Sequence, residues 1–279
     1  MPLSKVTTVY IIMTIRTLTT SSLIILFLCM LTNCLADTPD MKLHNKCLYP
    51  TVMVALEGRE SGGTGVIVRS TQVGNEWQNV FITAAHVANH PGDFTVHVYE
   101  YKDHSTIKGH FVLPCSFYTV DNQRDLAIGV FISAKQMPTA EINFDSKIYI
   151  GNDVLRIGCG LGDEPRLDVG KVSSVKTKLG KHPDLIRTTV HTLPGDSGSA
   201  LFSDYKVIGI MIMIRAREAG GVRQMIPGMS YAVPIQKMQT WNSENNSAFS
   251  FVWNNKEAIP KMPIYEIKFM RDLEIIDNE

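Results

Sequence analysis

The sequence predicts an all-β fold, either a sandwich or a pair of barrels. Between Thr51 and about Ile235, short apolar runs alternate with a two-residue period, and clusters of Gly, Pro, Asn and Asp separate them. No amphipathic helical stretch lies between these runs, although a βαβ sheet needs one after each strand. One helix is expected, at Ile235–Trp241. We expect strands at Val52–Leu56, Gly65–Arg69, Val80–Ala84, Phe94–Tyr101, Ile107–Leu113, Leu126–Ser133, Lys147–Ile157, Arg166–Val175, Leu185–Val190, Ala200–Phe202, Val207–Ile214 and Tyr231–Val233.

Composition narrows the class of protein. A chain of 279 residues is long enough for one large domain or two. With 27 basic and 27 acidic residues and 44% hydrophobic residues, it is neither disordered nor charged in a way that predicts nucleic-acid binding. Five cysteines are too few for a small disulfide-stapled scaffold.

The first 36 residues predict a secretory signal peptide. They carry basic but no acidic residues, and the apolar run Leu23–Leu31 is followed by small residues at Cys34 and Ala36, positions −3 and −1 of the expected cleavage site. A basic start, a short apolar stretch and small residues before the cleavage point are typical of such signals. We therefore expect cleavage before Asp37 and a secreted or periplasmic protein.

Two other interpretations of this segment remain open. An uncleaved Leu23–Leu31 would act as an anchor, but it is shorter than the about 20 apolar residues that span a bilayer. The sequence Leu-Thr-Asn-Cys ending at Cys34 also fits a bacterial lipoprotein signal, although Asn33 is large for the position before the lipidated cysteine. A stable membrane partner is expected only if Cys34 is lipidated or the signal stays uncleaved.

Three cysteines, Cys47, Cys115 and Cys159, remain after the expected cleavage. Because three is an odd number, at most one pair can form, and the sequence does not say which. A buried, reduced thiol fits each position equally well. These cysteines lie far from one another in the sequence, and the histidines lack an HExxH pair, so we expect no metal and no cofactor.

Chemistry-bearing residues concentrate in three segments. A strand-like run ends in His86, Asp125 precedes an apolar strand, and Ser197 lies between two glycines. A serine hydroxyl attacks at neutral pH only when a base removes its proton, and an imidazole is the suitable base. A buried carboxylate fixes the imidazole tautomer and stabilises the imidazolium. His86, Asp125 and Ser197 are therefore the candidate catalytic triad.

The glycines beside the serine predict an oxyanion hole. Gly195 and Gly198 allow the backbone to turn sharply, so that the amides of Gly195 and Ser197 can point at one oxygen atom. Such donors stabilise the tetrahedral intermediate of acyl transfer.

These segments resemble those of chymotrypsin-like serine proteases, in a style nearer to bacterial trypsin-like and HtrA-type proteases than to animal trypsins. The resemblance covers about residues 50–240. It implies two six-stranded antiparallel β-barrels packed face to face, with the triad between them, in a secreted endopeptidase that cleaves polypeptides through an acyl-enzyme. The matching segments are Thr83–His86, Asp125–Phe131, Pro194–Phe202, Gly63–Gly65, Val154–Gly162, Val169–Ser173, Val207–Ile210 and Tyr231–Ile235.

The resemblance has limits that bear on domains and activation. Animal trypsins are activated when a new Ile or Val amine pairs with the acid before the nucleophile. Asp196 is that acid here, but no Ile-Val-Gly-Gly start lies near residues 37–60. The residues after Ile235 are too few for the PDZ domain of HtrA-type proteins. We therefore expect a signal peptide at 1–36, a protease domain at 37–241 and a short C-terminal extension at 242–279.

By the same resemblance, His191 forms the base of the primary substrate pocket and Ile212, Met213 and Ile214 form one wall. Met229 and Ser230 lie near the other wall. No carboxylate occupies the base, so cleavage after Arg or Lys is not expected, and small to medium apolar side chains are favoured. Two alternatives remain open for His191: an exposed loop position, or a protonated pocket base that selects acidic side chains.

Two other functions compete with that of a protease. A catalytically silent binding module on the same fold would not need the complete set of His86, Asp125 and Ser197. An α/β-hydrolase esterase requires Gly-x-Ser-x-Gly and the order Ser, Asp, His, and the chain has neither.

Overall fold

The computed structural model describes residues 39–59, 62–104, 106–180, 182–219 and 222–238. The expected signal peptide (1–36) and C-terminal extension (242–279) lie outside the described residues. The chain divides into two compact units, Met1–Met41 and Lys42–Glu279, and the strands below all belong to the second. No helix in the described ranges is long and apolar enough to cross a membrane.

The described residues form mainly β-strands. Helix α1 (Pro39–Leu43) is followed by a π-helical turn, and the single-turn helix α2 is Ala85–Ala88. The strands are β1 (Thr51–Leu56), β2 (Gly62–Val73), β3 (Glu76–Thr83), β4 (Phe94–Tyr101), β5 (Ile107–Asp121), β6 (Leu126–Ser133), β7 (Glu141–Ile142), β8 (Asp153–Gly158), β9 (Arg166–Leu179), β10 (His182–Thr188), β11 (Ala200–Ser203), β12 (Lys206–Ala219) and β13 (Val222–Pro234).

The first six strands close into an antiparallel barrel in the order β1-β2-β3-β6-β5-β4. Its buried side chains are mostly aliphatic, and among the few buried aromatic rings Phe81 on β3 lies opposite Gly129 on β6. A Cβ on Gly129 would come within 2.1 Å of Phe81 Cζ. Because the ring covers the glycine, this pair fixes the register of β3 against β6 and thereby the ends of both strands.

The second barrel follows the order β11-β8-β9-β10-β13-β12 and closes through β11 and β12. The short β7 adds a parallel pairing to β12 outside the barrel. One buried apolar cluster includes side chains of both barrels, among them Phe81 and Phe202. The prediction of two packed six-stranded antiparallel barrels is confirmed.

Most expected strands are present, several of them longer than predicted, but one is wrong in its first half. The expected strand Lys147–Ile157 begins only at Asp153. The side chain of Asn152 accepts a hydrogen bond from Tyr149 N at 2.7 Å, which forms a turn that exposes Tyr149. Local side-chain bonding of Asn competes with a strand here. Strand β7 was not predicted.

The expected helix Ile235–Trp241 is described only in part. Ile235 and Gln236 lie in a turn, and helical geometry begins at Lys237. The remainder lies outside the described residues.

Candidate active site

His86 and Asp125 are brought together by the ends of two paired strands. Strand β3 leads into α2, which carries His86, and Asp125 immediately precedes β6 in the left-handed region, at φ 58°. His86 Nδ1 lies 2.9 Å from Asp125 Oδ2 and 3.1 Å from Oδ1. The main-chain N–H of His86 also donates to Oδ1, at 2.9 Å. The carboxylate therefore fixes both the backbone and the ring of His86.

The electrostatics of this pair determine the tautomer. Burial by itself would raise the pKa of Asp125, but the hydrogen bonds and charge of His86, with a smaller contribution from His182, lower it. Asp125 is therefore a carboxylate at neutral pH and can only accept hydrogen bonds. Consequently the tautomer of the neutral His86 ring is the one with the proton on Nδ1 and the lone pair on Nε2. The His86 side chain is 47% exposed and that of Asp125 is 11% exposed, so the base faces solvent and its orienting acid does not.

The serine lies in a tight turn that packs against the His86 segment. Gly198 adopts φ 90°, and a Cβ there would lie 2.1 Å from both Thr64 O and Thr83 Oγ1 and 3.0 Å from Ala84 N. Only a glycine permits this approach. Ser197 is thereby held beside the chain that leads to His86. Among the described residues no hydrogen bond joins Ser197 Oγ to His86, a separation that is common in enzymes without bound substrate.

The backbone amides around the serine fall into two groups. Gly195 N–H and Ser197 N–H donate to no acceptor within the described part of the chain, whereas the amides of Asp196, Gly198 and Ser199 donate to Leu193 O, Met211 O and Asp196 O. Pro194 O accepts from Leu161 N at 2.6 Å. Because a trans peptide directs its N–H opposite to its C=O, Gly195 N–H points away from Leu161. The two free amides are the two that the sequence predicts as oxyanion donors.

Thr64 connects the first barrel to the serine turn, a role that sequence reasoning missed. Its fully buried hydroxyl donates to Gly195 O at 2.8 Å and accepts from Cys159 N at 2.9 Å. Its backbone N–H donates to Ser197 O at 2.7 Å. In the sequence, the available signal for Thr64 was its position between Gly63 and Gly65. That position indicated a family resemblance and did not indicate these hydrogen bonds.

A second missed residue is Arg156, which pairs with Asp196 beneath the serine turn. Both side chains are completely buried, and Arg156 Nη1 donates to Asp196 Oδ1 at 2.5 Å. The other carboxylate oxygen accepts from Leu193 N at 2.7 Å. Burial raises the pKa of Asp196, and the charge of Arg156 and the Leu193 amide oppose that effect. The available signal was a charged residue placed between two apolar residues of β8, Leu155 and Ile157.

Most of the residues predicted to form the substrate pocket lie on the paired strands β12 and β13. Ser230 pairs with Ile214 and donates to Val190 O at 2.9 Å, next to His191. The His191 side chain is exposed. The other predicted wall residues differ in burial: Ile212 packs in the apolar core, Met229 packs against that core, and the side chain of Met213 lies outside the description. The pocket assignment stays a prediction.

The three cysteines of the second unit are free thiols. Burial raises the pKa of Cys47 and of Cys159 to about 12, and that of Cys115 above its usual range. Buried, protonated thiols are poor nucleophiles and poor metal ligands. Within the described residues, no group of three or more His, Cys, Asp or Glu side chains could hold a metal ion.

Two antiparallel barrels with a carboxylate–imidazole pair and a glycine-flanked serine define the architecture of chymotrypsin-like serine hydrolases. The family model for the trypsin-like peptidase domain matches residues 63–210. The chain belongs to that family.

Known proteins resemble parts of the chain. It is 32% identical over 126 residues to putative protease Do-like 14 of Arabidopsis thaliana. The matched region covers 42% of this chain and 27% of that protein. It is 31% identical over 118 residues to a probable periplasmic serine endoprotease, DegP-like, of Hahella chejuensis. This second matched region covers 41% of this chain and 24% of that protein. The matches thus span about a quarter of those relatives' lengths.

A solved structure has a similar fold. The crystal structure of the serine endoprotease from Yersinia pestis superposes with a TM-score of 0.54 at 21% identity. The superposition covers 75% of this chain and 67% of that one. At this identity the likeness concerns the fold alone.

Proposed function

We propose that the chain is a serine endopeptidase that hydrolyses peptide bonds through His86, Asp125 and Ser197. The observation that carries this proposal is the pairing of His86 Nδ1 with both oxygens of Asp125, next to a serine turn with two free amides. An ionised acid, a neutral base and an open oxyanion site are the three parts that acyl transfer requires.

In the proposed mechanism His86 Nε2 takes the Ser197 hydroxyl proton as Oγ attacks the scissile carbonyl carbon. The carbonyl oxygen becomes an oxyanion and accepts hydrogen bonds from Gly195 N–H and Ser197 N–H. His86 then donates its proton to the leaving amine, and an acyl-enzyme remains on Ser197. Water, deprotonated by His86, attacks the carbonyl carbon of this ester. His86 then returns the proton to Ser197 Oγ as the C–Oγ bond breaks, and the acid leaves. Asp125 stays ionised throughout and stabilises the imidazolium.

The proposed substrates are polypeptides, with small to medium apolar side chains preferred at the pocket near His191. No cofactor is needed for this chemistry. The proposed location is secreted or periplasmic, since the chain begins with signal-like residues 1–36 and the Hahella chejuensis relative is named as periplasmic. The protease domain would then extend over 37–241, with 242–279 as a C-terminal extension.

The test is labelling with a fluorophosphonate, followed by cleavage of a peptide library. Labelling of folded protein that disappears in Ser197→Ala supports the proposal. Dominant cleavage after Arg or Lys would contradict the predicted apolar preference without contradicting the mechanism.

A catalytically silent binding module is the second candidate. One observation favours it, namely that no hydrogen bond joins Ser197 to His86 within the described chain. Such a module would leave Ser197 unlabelled, and a peptide would bind without being cut. The absence of labelling in correctly folded protein would establish this alternative.

A further inference from the structure

A cavity of about 490 Å³ lies where the first barrel meets the connection to the second. Val68 and Arg69 of β2 line it, together with residues of the stretch from Thr139 to Phe144 that contains β7. Lys46, from the π-helical turn before β1, also belongs to the lining. A volume of this size is typical of small-molecule pockets, which are common where two folding units meet.

One side of the cavity is apolar. Val68, Ile142 and Phe144 pack against the buried apolar core, yet each of them stays partly exposed and lines the cavity. Apolar surface in contact with water carries a free-energy cost, and an apolar group that covers this surface removes the cost. The lining therefore favours a ligand with an apolar body.

The polar side of the cavity carries an excess of positive charge. Lys46 and Arg69 supply two cations, and among the described lining residues Glu141 is the one acid. The carboxylate of Glu141 already forms an ion pair with Lys206 outside the lining. A ligand with a negative charge is therefore favoured over a neutral or cationic one.

Arg69 is the better placed of the two cations. Lys46 is exposed, whereas Arg69 is half-buried. Burial lowers the pKa of the Arg69 guanidinium, so its charge is incompletely hydrated, although the group stays protonated at neutral pH. In such surroundings a carboxylate is attracted more strongly than at an open surface, and a guanidinium can donate to both of its oxygens.

We propose that this cavity binds a small carboxylate with an apolar body, such as a medium-chain acid. The carboxylate lies against Arg69 and Lys46, and the body lies against Val68, Ile142 and Phe144. None of the lining residues belongs to the candidate triad, the serine turn or the predicted substrate pocket. The proposal is therefore independent of the proposed function.

A ligand in this cavity contacts elements of both barrels. Val68 and Arg69 follow Thr64 on the same strand, β2, by four and five residues. Ile142 lies on β7, which pairs with β12 of the second barrel. Because a ligand that binds only the folded chain stabilises it, saturating ligand should also raise the melting temperature.

Octanoate is the probe, and it is titrated into the full chain that carries Ser197→Ala, so that no catalysis is involved. Isothermal titration calorimetry gives the affinity. Acetate has the charge without the apolar body, and octyltrimethylammonium has the body with the opposite charge. We expect both to bind at least tenfold more weakly than octanoate. Nuclear Overhauser effects from the octanoate chain to Ile142 and Phe144 should locate the bound ligand.

Charge variants test the head-group contacts. Arg69→Gln should weaken octanoate binding about ten- to a hundredfold, the scale for hydrogen bonds to a charged group. Lys46→Gln should weaken it about two- to fivefold, the scale of an exposed ion pair. Lys147→Gln is the matched control, because Lys147 is an exposed lysine that lines a second cavity, of about 300 Å³, with Asp145 and Asp204 in its lining. That variant should bind octanoate within about twofold of the parent.

Three results would overturn the proposal: no octanoate binding, equal binding of acetate or octyltrimethylammonium, or an affinity that Arg69→Gln leaves unchanged. If Arg69→Gln fails to fold, the nuclear Overhauser effects decide without a variant, and contacts to other parts of the chain alone would refute the site. Fluorophosphonate labelling of Ser197 tests the proposed function separately, so that either proposal can fail while the other stands.

Discussion

Replacing Thr64 by valine tests how strongly the first barrel supports the serine turn. Valine has nearly the same shape as threonine but can neither donate to Gly195 O nor accept from Cys159 N, the two contacts at 2.8 and 2.9 Å. A buried polar group left without a partner costs about 1–3 kcal/mol. Cys159 is fully buried and Gly195 only partly, so we expect the free energy of unfolding to fall by about 2–4 kcal/mol.

The assay has two parts. Urea unfolding is measured in the Ser197→Ala background, which prevents self-digestion, and kcat/KM is measured in the active chain. Thr64→Ser is the control, because it keeps the hydroxyl and loses only a methyl group, at a cost of about 1 kcal/mol. Thr64→Val should also reduce kcat/KM at least tenfold through the displaced Gly195. If the valine and serine variants were equally stable and equally active, the role assigned to the Thr64 hydroxyl would be wrong.

The structure supports three further predictions. Asp125→Asn should reduce kcat about 10⁴-fold, because an amide does not hold the imidazole in the required tautomer; a loss below tenfold in peptide hydrolysis would contradict this. Burial, with the neighbouring His110, lowers the pKa of His97 to about 4. The unfolded chain therefore binds a proton that the folded chain does not between pH 6.5 and 4, and stability should fall by up to about 3 kcal/mol as pH drops through that range. Urea unfolding at pH 7 and pH 4 should show a smaller fall in His97→Gln, and an equal fall in both proteins would refute the assignment. Gly129→Ala should lower the free energy of unfolding by about 1–3 kcal/mol, because the added methyl group meets the Phe81 ring. Thermal or urea unfolding measures this loss, and Phe81→Leu in the same chain should recover part of it. Full stability of Gly129→Ala alone would contradict the packing.

Strand positions were predictable wherever local pattern and tertiary pairing agree. The bounds of Phe94–Tyr101 and Leu126–Ser133 match β4 and β6, since a turn-forming aspartate, Asp93 or Asp125, directly precedes each run. Prediction failed at Lys147–Ile157, because Asn152 closes a turn there. The apolar residues of that stretch had suggested a continuous strand. The two-residue β7 could not be predicted, because its pairing with β12 depends on chain segments far apart in sequence.

The sequence by itself determined the fold class and the residue types of the candidate site, since a serine between glycines, a histidine after a strand and an aspartate before one are local patterns. Tertiary structure alone decided which groups assist them. Thr64 and Arg156 look like ordinary strand residues in sequence, and their roles arise only where closure of the barrels places them against Gly195 and Asp196. Long-range contacts of this kind leave no local periodicity, because they depend on the register of strands that are distant along the chain.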